Sequence, residues 1–333
     1  MFSALVLDDH DDEVYAHVRR LEASDLPDPG PGAVRLKVLY SGVNYKDALA
    51  VTGSGQIIRG GYPIVPGIDL VGRVLESDHD EFGAGEWVIG TGWQLGEVDW
   101  GGYSQQAKVD GDKLLPLPED LSPDQAMTAG TAGLTAMLAV MALEEHDVSP
   151  EDGEIVVTGA SGGAGSFAIA LLDALGYTAV ASTGSKGAHA YLRVQGASRI
   201  VHRREFEDGP EHPLESGNWA GAVDAVGGQT LAAIIARLQR HGSVAALGNA
   251  GGHELPTSVL PFILRGVNLL GIDSNTCPND RRRAAWHRLA ELLHDEHFER
   301  ARARTISLEA IPEASREVLS GQVQGRVLVD MQA

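Results

Sequence analysis

This 333-residue chain contains one cysteine, Cys277, which excludes an internal disulfide and any cysteine-built zinc site. Lysine is nearly as scarce, with five residues in the whole chain. All basic residues together number 26 against 46 acids, giving a formal net charge of −20. A surface of that sign repels nucleic acid and anionic lipid, so neither is expected as a partner. The acid excess fits either a high-salt habitat or an ordinary solvated face, and neither bears on chemistry. No run reaches the ~18 apolar residues that a bilayer span needs. The opening Met1-Phe2-Ser3-Ala4-Leu5-Val6-Leu7-Asp8-Asp9 lacks a basic region and reads as a first strand, not a signal peptide. A cytoplasmic protein is expected. None of the twelve histidines lies in an H-x-x-x-H or Cys–His spacing, and no metal is expected.

What is present is an ordinary globular composition, 43% hydrophobic, in a length that suggests two domains. The most informative stretch is Ile155-Val156-Val157-Thr158-Gly159-Ala160-Ser161-Gly162-Gly163-Ala164-Gly165, followed by the apolar Phe167-Ala168-Ile169-Ala170-Leu171-Leu172. A β-branched run, a glycine turn and a helical pattern describe strand, phosphate loop and helix. Gly159, Gly162 and Gly165 stand three apart, as a dinucleotide loop requires for its tight turn, its approach to a pyrophosphate and its close helix packing. Glycine turns also occur without a ligand; the flanking strand and helix point to a nucleotide here. The candidate phosphate contacts are Ala160, Ser161, Gly162, Gly163 and Ala164.

Before this stretch the chain reads as short strands broken by glycine and proline. Val34-Arg35-Leu36-Lys37-Val38-Leu39-Tyr40 alternates with period two and follows the turn cluster at 26–32. Further strands are expected at 70–75 and 86–90, and together they suggest a partly open barrel. At Ser122-Pro123-Asp124 an N-cap with proline in the first turn opens a helix expected over 126–143. Beyond the glycine loop, strands near 178–182, 198–201, 221–226, 243–247 and 267–273 alternate with helices near 187–196 and 229–239. Such alternation predicts a doubly wound parallel sheet. Mixed elements close the chain: helices over 281–294 and 312–320, and strands near 305–308 and 326–330. The expected layout is α/β: residues 126–274 form a Rossmann domain inserted between 1–125 and 275–333, which make up the barrel domain. Ligands usually sit in the cleft such a layout creates.

About 20 residues beyond the loop, an NAD-preferring fold places an acid on the ribose 2′-hydroxyl. This chain has Ser182-Thr183-Gly184-Ser185-Lys186 there, with no acid. Hydroxyls and a cation suit a 2′-phosphate, and Arg203 stands ready to complete the pocket, so NADP is expected over NAD. Either basic residue taken alone also fits plain surface charge.

Gly67-Ile68-Asp69 stands where zinc-dependent medium-chain dehydrogenases carry a His-Glu pair. The chain resembles the zinc-independent medium-chain dehydrogenase/reductases, and more narrowly the acrylyl-CoA reductase (AcuI/YhdH-type) family. The resemblance rests on Gly42-Val43-Asn44-Tyr45-Lys46-Asp47-Ala48-Leu49-Ala50, Pro66-Gly67-Ile68-Asp69 and Gly130-Thr131-Ala132-Gly133-Leu134-Thr135-Ala136-Met137. It extends to the glycine loop, Pro261-Phe262-Ile263-Leu264-Arg265 and Gly271-Ile272-Asp273-Ser274-Asn275, and so spans nearly the whole chain. One departure is at the second strand's end, where an arginine is expected near Ser185 and Lys186 stands instead.

The resemblance implies a GroES-like barrel domain beside the Rossmann domain. It also implies NADPH-dependent reduction of the α,β-double bond of acrylyl-CoA to propionyl-CoA. Asn44 and Tyr45 would face the nicotinamide, Tyr45 donating a hydrogen bond to the enolate, relaying a proton, or merely packing against the ribose. Thr131, Leu247, Gly248, Asn249, Ile263, Ser274, Gln322 and Arg326 would line the cofactor. The phosphates of a CoA thioester call for a local basic patch in so acidic a chain. Arg281, Arg282 and Arg283, with Arg59 as a second candidate, are the dense positive run, which also reads as a solvated helix start. A homodimer paired through an apolar edge strand at 267–272 is expected. The same fold also serves quinone or general enal reductases and cofactor-binding proteins without turnover.

Overall fold

The computed structural model describes residues 1–11 and 13–333. It divides into two compact units, unit 1 being Met1–Thr131, Asn275–Arg283 and Arg302–Ala333, and unit 2 being Ala132–Ser274 and Ala284–Ala301. The sequence division gives all of 275–333 to the barrel domain, whereas 284–301 fall in unit 2. There the Phe298 ring lies 6.3 Å from that of Phe167, and Arg288 forms an ion pair with Glu144.

Unit 1 opens with β1 (Phe2–His10) and β2 (Glu13–Leu21), an antiparallel hairpin. The long strand β3 (Ala33–Val43) leads through Asn44 into the short helix α1 (Tyr45–Val51). Then come β4 (Asp69–Ser77), β5 (Trp87–Thr91), β6 (Gln106–Asp110) and β7 (Leu114–Pro116). Helix α2 (Pro123–Glu144) is not the continuous helix expected. Gly130 adopts φ 51 and ψ −151, a left-handed conformation open to glycine, and interrupts it. By length and composition α2 also passes as a membrane span, contrary to the sequence reading. Within the protein, however, 89% of its apolar window is buried, as befits a core helix.

Unit 2 holds β8 (Glu154–Val157), α3 (Gly163–Ala174), β9 (Thr178–Thr183), α4 (His189–Val194), β10 (Arg199–His202), α5 (Arg204–Glu207), β11 (Trp219–Asp224), α6 (Gly228–Ala236), β12 (Leu238–Ala246), α7 (Leu260–Arg265) and β13 (Asn268–Gly271). Its six strands run in the order β10-β9-β8-β11-β12-β13, every neighbouring pair parallel. The order reverses between β8 and β11, and in an open α/β sheet ligands bind beyond the strand ends at such a point. The inner strands β8, β9 and β11 are largely buried on both faces, so they read as apolar runs rather than alternations.

The chain closes with α8 (Asn279–Leu292), α9 (Asp295–Ala301), β14 (Arg302–Ile306), α10 (Ile311–Leu319) and β15 (Arg326–Asp330). Strands β14 and β15 complete the unit 1 sheet, whose order is β14-β15-β3-β4-β5-β7 with β6 also on β3. The first half of β3 pairs with β4 and β6, and its end pairs with β15. Its register shifts near Arg35 and Val38 mark bulges, which bend a strand and curl its sheet. Val34, Leu36, Val38, Leu70, Val74, Val88, Leu114 and Val329 fill the core inside.

Candidate active site

In unit 2 the glycine loop follows β8 directly. Gly159 has φ +56, and its carbonyl accepts from the Gly162 N–H at 2.9 Å, closing the turn. A Cβ on Gly165 would lie 2.4 Å from the Gly159 carbonyl oxygen, so the absence of a side chain there lets α3 press against the loop. Ala160 is buried, while Ser161, Gly162, Gly163 and Ala164 are half-buried at the start of α3. Beneath the loop, Thr158 donates to buried Asp224 at 2.6 Å, and Asp224 also accepts from the Gly227 N–H at 2.7 Å. This clasp joins the ends of β8 and β11. Burial raises the Asp224 carboxyl above its ordinary range, against the hydrogen bonds that favour its charge. The Leu247 N–H donates to the Asp224 carbonyl, and a Cβ on Gly248 would lie 2.6 Å from the Ala225 carbonyl. Leu247 and Gly248 therefore lie beside the loop's base.

At the end of β9, Ser182 and Thr183 are buried, and Gly184, Ser185 and Lys186 are exposed. Arg203 lies across Gly184: a Cβ there would be 2.6 Å from its Nε and 2.9 Å from its Cδ. The Arg203 side chain is 67% exposed and pairs with Glu207 at 2.7 Å. Arg203 and the segment from Ser182 to Ser185 are thus brought together. The hydroxyls of Ser274 and Thr135 share a 2.7 Å hydrogen bond. Ile263 is 69% exposed on α7.

In unit 1 the Asn44–Tyr45 turn sits on a buried charged cluster that the sequence reading did not anticipate. Asn44 Nδ2 donates to Asp47 Oδ2 at 3.0 Å and to Asp69 Oδ2 at 2.9 Å, and its Oδ1 accepts from Arg326 at 2.9 Å. Asn44, expected to face the nicotinamide, thus has both amide hydrogens engaged within unit 1. Asp47 accepts further from the Asn44 and Ile68 backbone N–H groups. Asp69 accepts from the Thr131 N–H at 2.9 Å and from the Thr131 hydroxyl at 2.5 Å. The kink at Gly130 presents that N–H, and a Cβ on Gly130 would lie 2.3 Å from Asp69 Oδ2. Arg326 also donates to the Val43 and Thr128 carbonyls and stands 3.5 Å from Asp69. It is buried inside unit 1 and makes no exposed positive charge, which corrects its predicted place among cofactor contacts. Tyr45 itself is 47% exposed, and Gln322 lies exposed after α10.

Desolvation first, then the negative charge of Asp69, raises the Asp47 carboxyl from 3.8 to about 7. Burial lowers Arg326, opposed by Asp69 and Asp47. Tyr103, whose hydroxyl donates to the Gly42 carbonyl at 3.2 Å, is pushed well above 10 by its burial and by the same two acids.

The predicted basic run does not form a patch. Arg282 is 1% exposed; it donates to Thr91 and Asn275 and stacks over the Trp93 ring at 5.3 Å. Arg283 pairs with Glu81. Arg59 is partly exposed and pairs with the buried Glu97 at 2.8 Å, and Lys46 binds the other oxygen of Glu97 at 2.9 Å. Two partly exposed cations on one buried acid leave a local positive charge in the residue after Tyr45. Lys46 was not singled out from the sequence, because an isolated lysine in a helix carries no signal.

Two family models match the chain: "Alcohol dehydrogenase GroES-like domain" over residues 30–119 and "Zinc-binding dehydrogenase" over 163–293. The acrylyl-CoA reductase AcuI of Ruegeria pomeroyi is 49% identical over 335 residues, covering 100% of both chains. The chain belongs to the medium-chain dehydrogenase/reductases, in their acrylyl-CoA reductase AcuI family. The crystal structure of Escherichia coli YhdH with bound NADPH superimposes with a TM-score of 0.95 at 49% identity, covering 98% of this chain and 99% of that one. Bacillus subtilis YhfP, named a putative quinone oxidoreductase, is 45% identical over 99% of both chains. Its structure, with NAD bound, matches at a TM-score of 0.94, 46% identity and 99% coverage of each chain. The zinc in one family description finds no counterpart in a ligand cluster: no group of three or more His, Cys, Asp or Glu side chains is placed to hold a metal among the described residues. In this member of the medium-chain dehydrogenase/reductases, the carboxylate of Asp69 is bound by Asn44, Thr131 and Arg326.

Proposed function

We propose that this chain is an NADPH-dependent acrylyl-CoA reductase, reducing the α,β-double bond of acrylyl-CoA to give propionyl-CoA. The observation that carries this reading is the 49% identity along the whole chain to the Ruegeria pomeroyi enzyme of that name. The residues present fit NADPH. The loop at 159–165 is a cradle that a Cβ on Gly165 would disrupt, and the β9 end offers hydroxyls and Arg203 where an acid would repel a 2′-phosphate. NADPH, when bound, supplies the hydride that adds to the β-carbon.

The chain's own residues do the rest. Backbone N–H groups of Ala160, Ser161, Gly162, Gly163 and Ala164 hold the pyrophosphate. Ser182, Thr183, Gly184, Ser185, Lys186 and Arg203 hold the 2′-phosphate, and Leu247, Gly248 and Ser274 orient the nicotinamide half in unit 2; Thr131 is a cofactor contact in unit 1. Tyr45, half-exposed at the start of α1, donates to the thioester oxygen as it gains negative charge. Arg59 and Lys46 offer the positive charge that the CoA phosphates need. Zinc takes no part in this reading, in keeping with the roles that Asn44 and Asp69 already fill. A cytoplasmic location accords with a cofactor and a thioester that are both held inside the cell.

A homodimer is proposed from unit 2. Strand β13 is an edge strand, and Leu269 on it, with Val259, Leu260, Ile263 and Leu264 on and beside α7, is exposed and apolar. An edge of that kind pairs readily with a second copy across a two-fold. Replacing Ile263 and Leu269 with lysine should turn the dimer into a monomer in sedimentation runs; a monomeric parent protein sinks the idea.

NADPH oxidation measured side by side with acrylyl-CoA, crotonyl-CoA and a quinone tests the function. Turnover of acrylyl-CoA, with NADPH well ahead of NADH, is expected. Turnover confined to the quinone would favour a quinone reductase, the reading that the name of the Bacillus subtilis relative supports. NADPH binding without turnover of any acceptor would leave a non-catalytic cofactor-binding protein.

A further inference from the structure

Three groups meet around one side chain. Asn44 Nδ2 donates to both Asp47 and Asp69, at 3.0 and 2.9 Å, and Arg326 donates to Asn44 Oδ1 at 2.9 Å. All four side chains are buried. Asp69 and Asp47 therefore approach one amide nitrogen in the buried interior of unit 1. Among the described residues, one guanidinium faces these two acids, and it stands 3.5 Å from Asp69. Two ionised carboxylates beside one cation would leave a net negative charge in a low-dielectric core, which burial penalises heavily. A pair of acids this close relieves the strain by keeping a proton.

We propose that Asp47 keeps its proton beside Asp69 and that the two acids act, through the Asn44 amide they share, as the positioning pair for Tyr45 and Thr131. Asp69 reaches Thr131 through its backbone N–H and its hydroxyl, and Asp47 reaches the start of α1 through the Asn44 N–H. The pair ties the turn that carries Tyr45 to the residue that follows the α2 kink. Both acids are enclosed in unit 1 and act through Asn44 and Thr131. The groups facing Asp47 are Asp69 on β4, Arg326 on β15, Tyr103 in the loop after β5, and the N–H groups of Asn44 and Ile68. The raised pKa of Asp47, with burial and Asp69 as its causes, agrees with a proton resident there near neutrality. The Tyr103 hydroxyl stands beside Asp47 and donates to the Gly42 carbonyl on β3 at 3.2 Å. Loss of the proton sets two negative charges on the shared amide and loosens the turn.

The inference rests on the reductase reading in taking Tyr45 and Thr131 as residues of the reaction site. Its first test needs no substrate, so its failure is separate from a failure of that reading. Infrared spectra of the NADPH-loaded protein, taken from about pH 5 to about pH 9, should show a protonated-carboxyl band that fades through neutrality. The band should be missing from Asp47→Asn and from Asp69→Asn alike, because either change leaves one acid for one guanidinium. A parent protein without such a band overturns the proposal even if neither variant folds. With acrylyl-CoA as substrate, kcat of the parent should fall as pH rises through about 7, and folded Asp69→Asn should lose that inflection while its kcat at neutral pH drops at least ~10-fold. An unchanged inflection in folded Asp69→Asn also overturns it.

Discussion

The glycine loop of unit 2 and the acid–amide cluster of unit 1 hold their surroundings by different means. The loop works through backbone: a left-handed glycine at 159, a turn closed by Gly162 and a helix brought close by the bare Cα of Gly165. Its buried acid, Asp224, ties two strand ends, with a hydroxyl and an N–H as its partners. The cluster works through side chains. Asn44 and Asp47, with Asp69, Thr131 and Arg326 from distant parts of the chain, meet as two acids and a guanidinium bridged by an amide and a hydroxyl in the buried interior. A backbone device tolerates most changes in its neighbours but no added Cβ at its tight points. A charge cluster tolerates conservative changes in size but not the loss of one partner.

The largest expected effect comes from removing the cation. Arg326→Ala leaves two acids in the core without their guanidinium, a loss of about 3–5 kcal/mol for breaking a buried pair. Denaturant unfolding that shows a loss below about 1 kcal/mol would mean that the cluster is better hydrated than its burial indicates. Next is the loop. Gly165→Ala places a methyl 2.4 Å from a carbonyl oxygen, so the loop must move. Displacement of about 1 Å at a binding site lowers kcat/KM by roughly 100-fold, and NADPH titration should show that loss while unit 1 keeps its stability. Third, Arg203→Ala should raise the KM for NADPH by about 10-fold, the scale of one charge-assisted hydrogen bond, and leave NADH unchanged. Equal effects on both cofactors would remove Arg203 from the 2′-phosphate.

The last effect is a slope with pH. The native Asp47 carboxyl is pushed up to about 7, above its unfolded value near 3.9. The native state therefore binds a proton that the unfolded state has released between those values. Its contribution to stability is complete below about pH 4 and declines until about pH 7. Asp47→Asn should remove this decline from the difference between parent and variant unfolding curves. Parallel curves for the two proteins across that window would show that the group titrates normally.

These contrasts also explain what the sequence discloses. The parallel sheet of unit 2 is legible because each strand is an apolar run followed by a helix, and the loop is legible because its glycines are adjacent in the chain. The acid-free β9 end could be read for the same reason, although the contact of Arg203 with Gly184 joins positions in two different strand–helix units. The kink at Gly130 escaped notice because its neighbours Ala129, Thr131 and Ala132 continue a helical pattern, and the cause is the carboxylate of Asp69 some 60 positions earlier, the separation being 62 to Thr131. Asp47 and Asp69 each look like surface acids in a chain rich in them. Arg282 looked like a phosphate contact because three arginines in a row suggest solvent, yet the helix turns the middle one onto Trp93. Charge in a sequence carries no label for burial. Pairing partners supply it.

The discontinuity of unit 1 has a consequence for the order in which the protein is made. Residues 132–274 of unit 2 leave the ribosome as one uninterrupted stretch carrying all six strands of its sheet. Unit 1 must wait: Val43 at the end of β3 receives its hydrogen bond from Arg326, 283 positions later, and β15 closes against the same strand. Contacts of such long range are slow to form, and a nascent chain folds by domains as they emerge. Until the last dozen residues are synthesised, Asp69 and Asp47 have no cation and β3 has an open edge. A stalled or truncated chain should therefore display a folded nucleotide unit beside an unfinished barrel. That intermediate would be a natural target for chaperones and proteases that patrol unfinished chains.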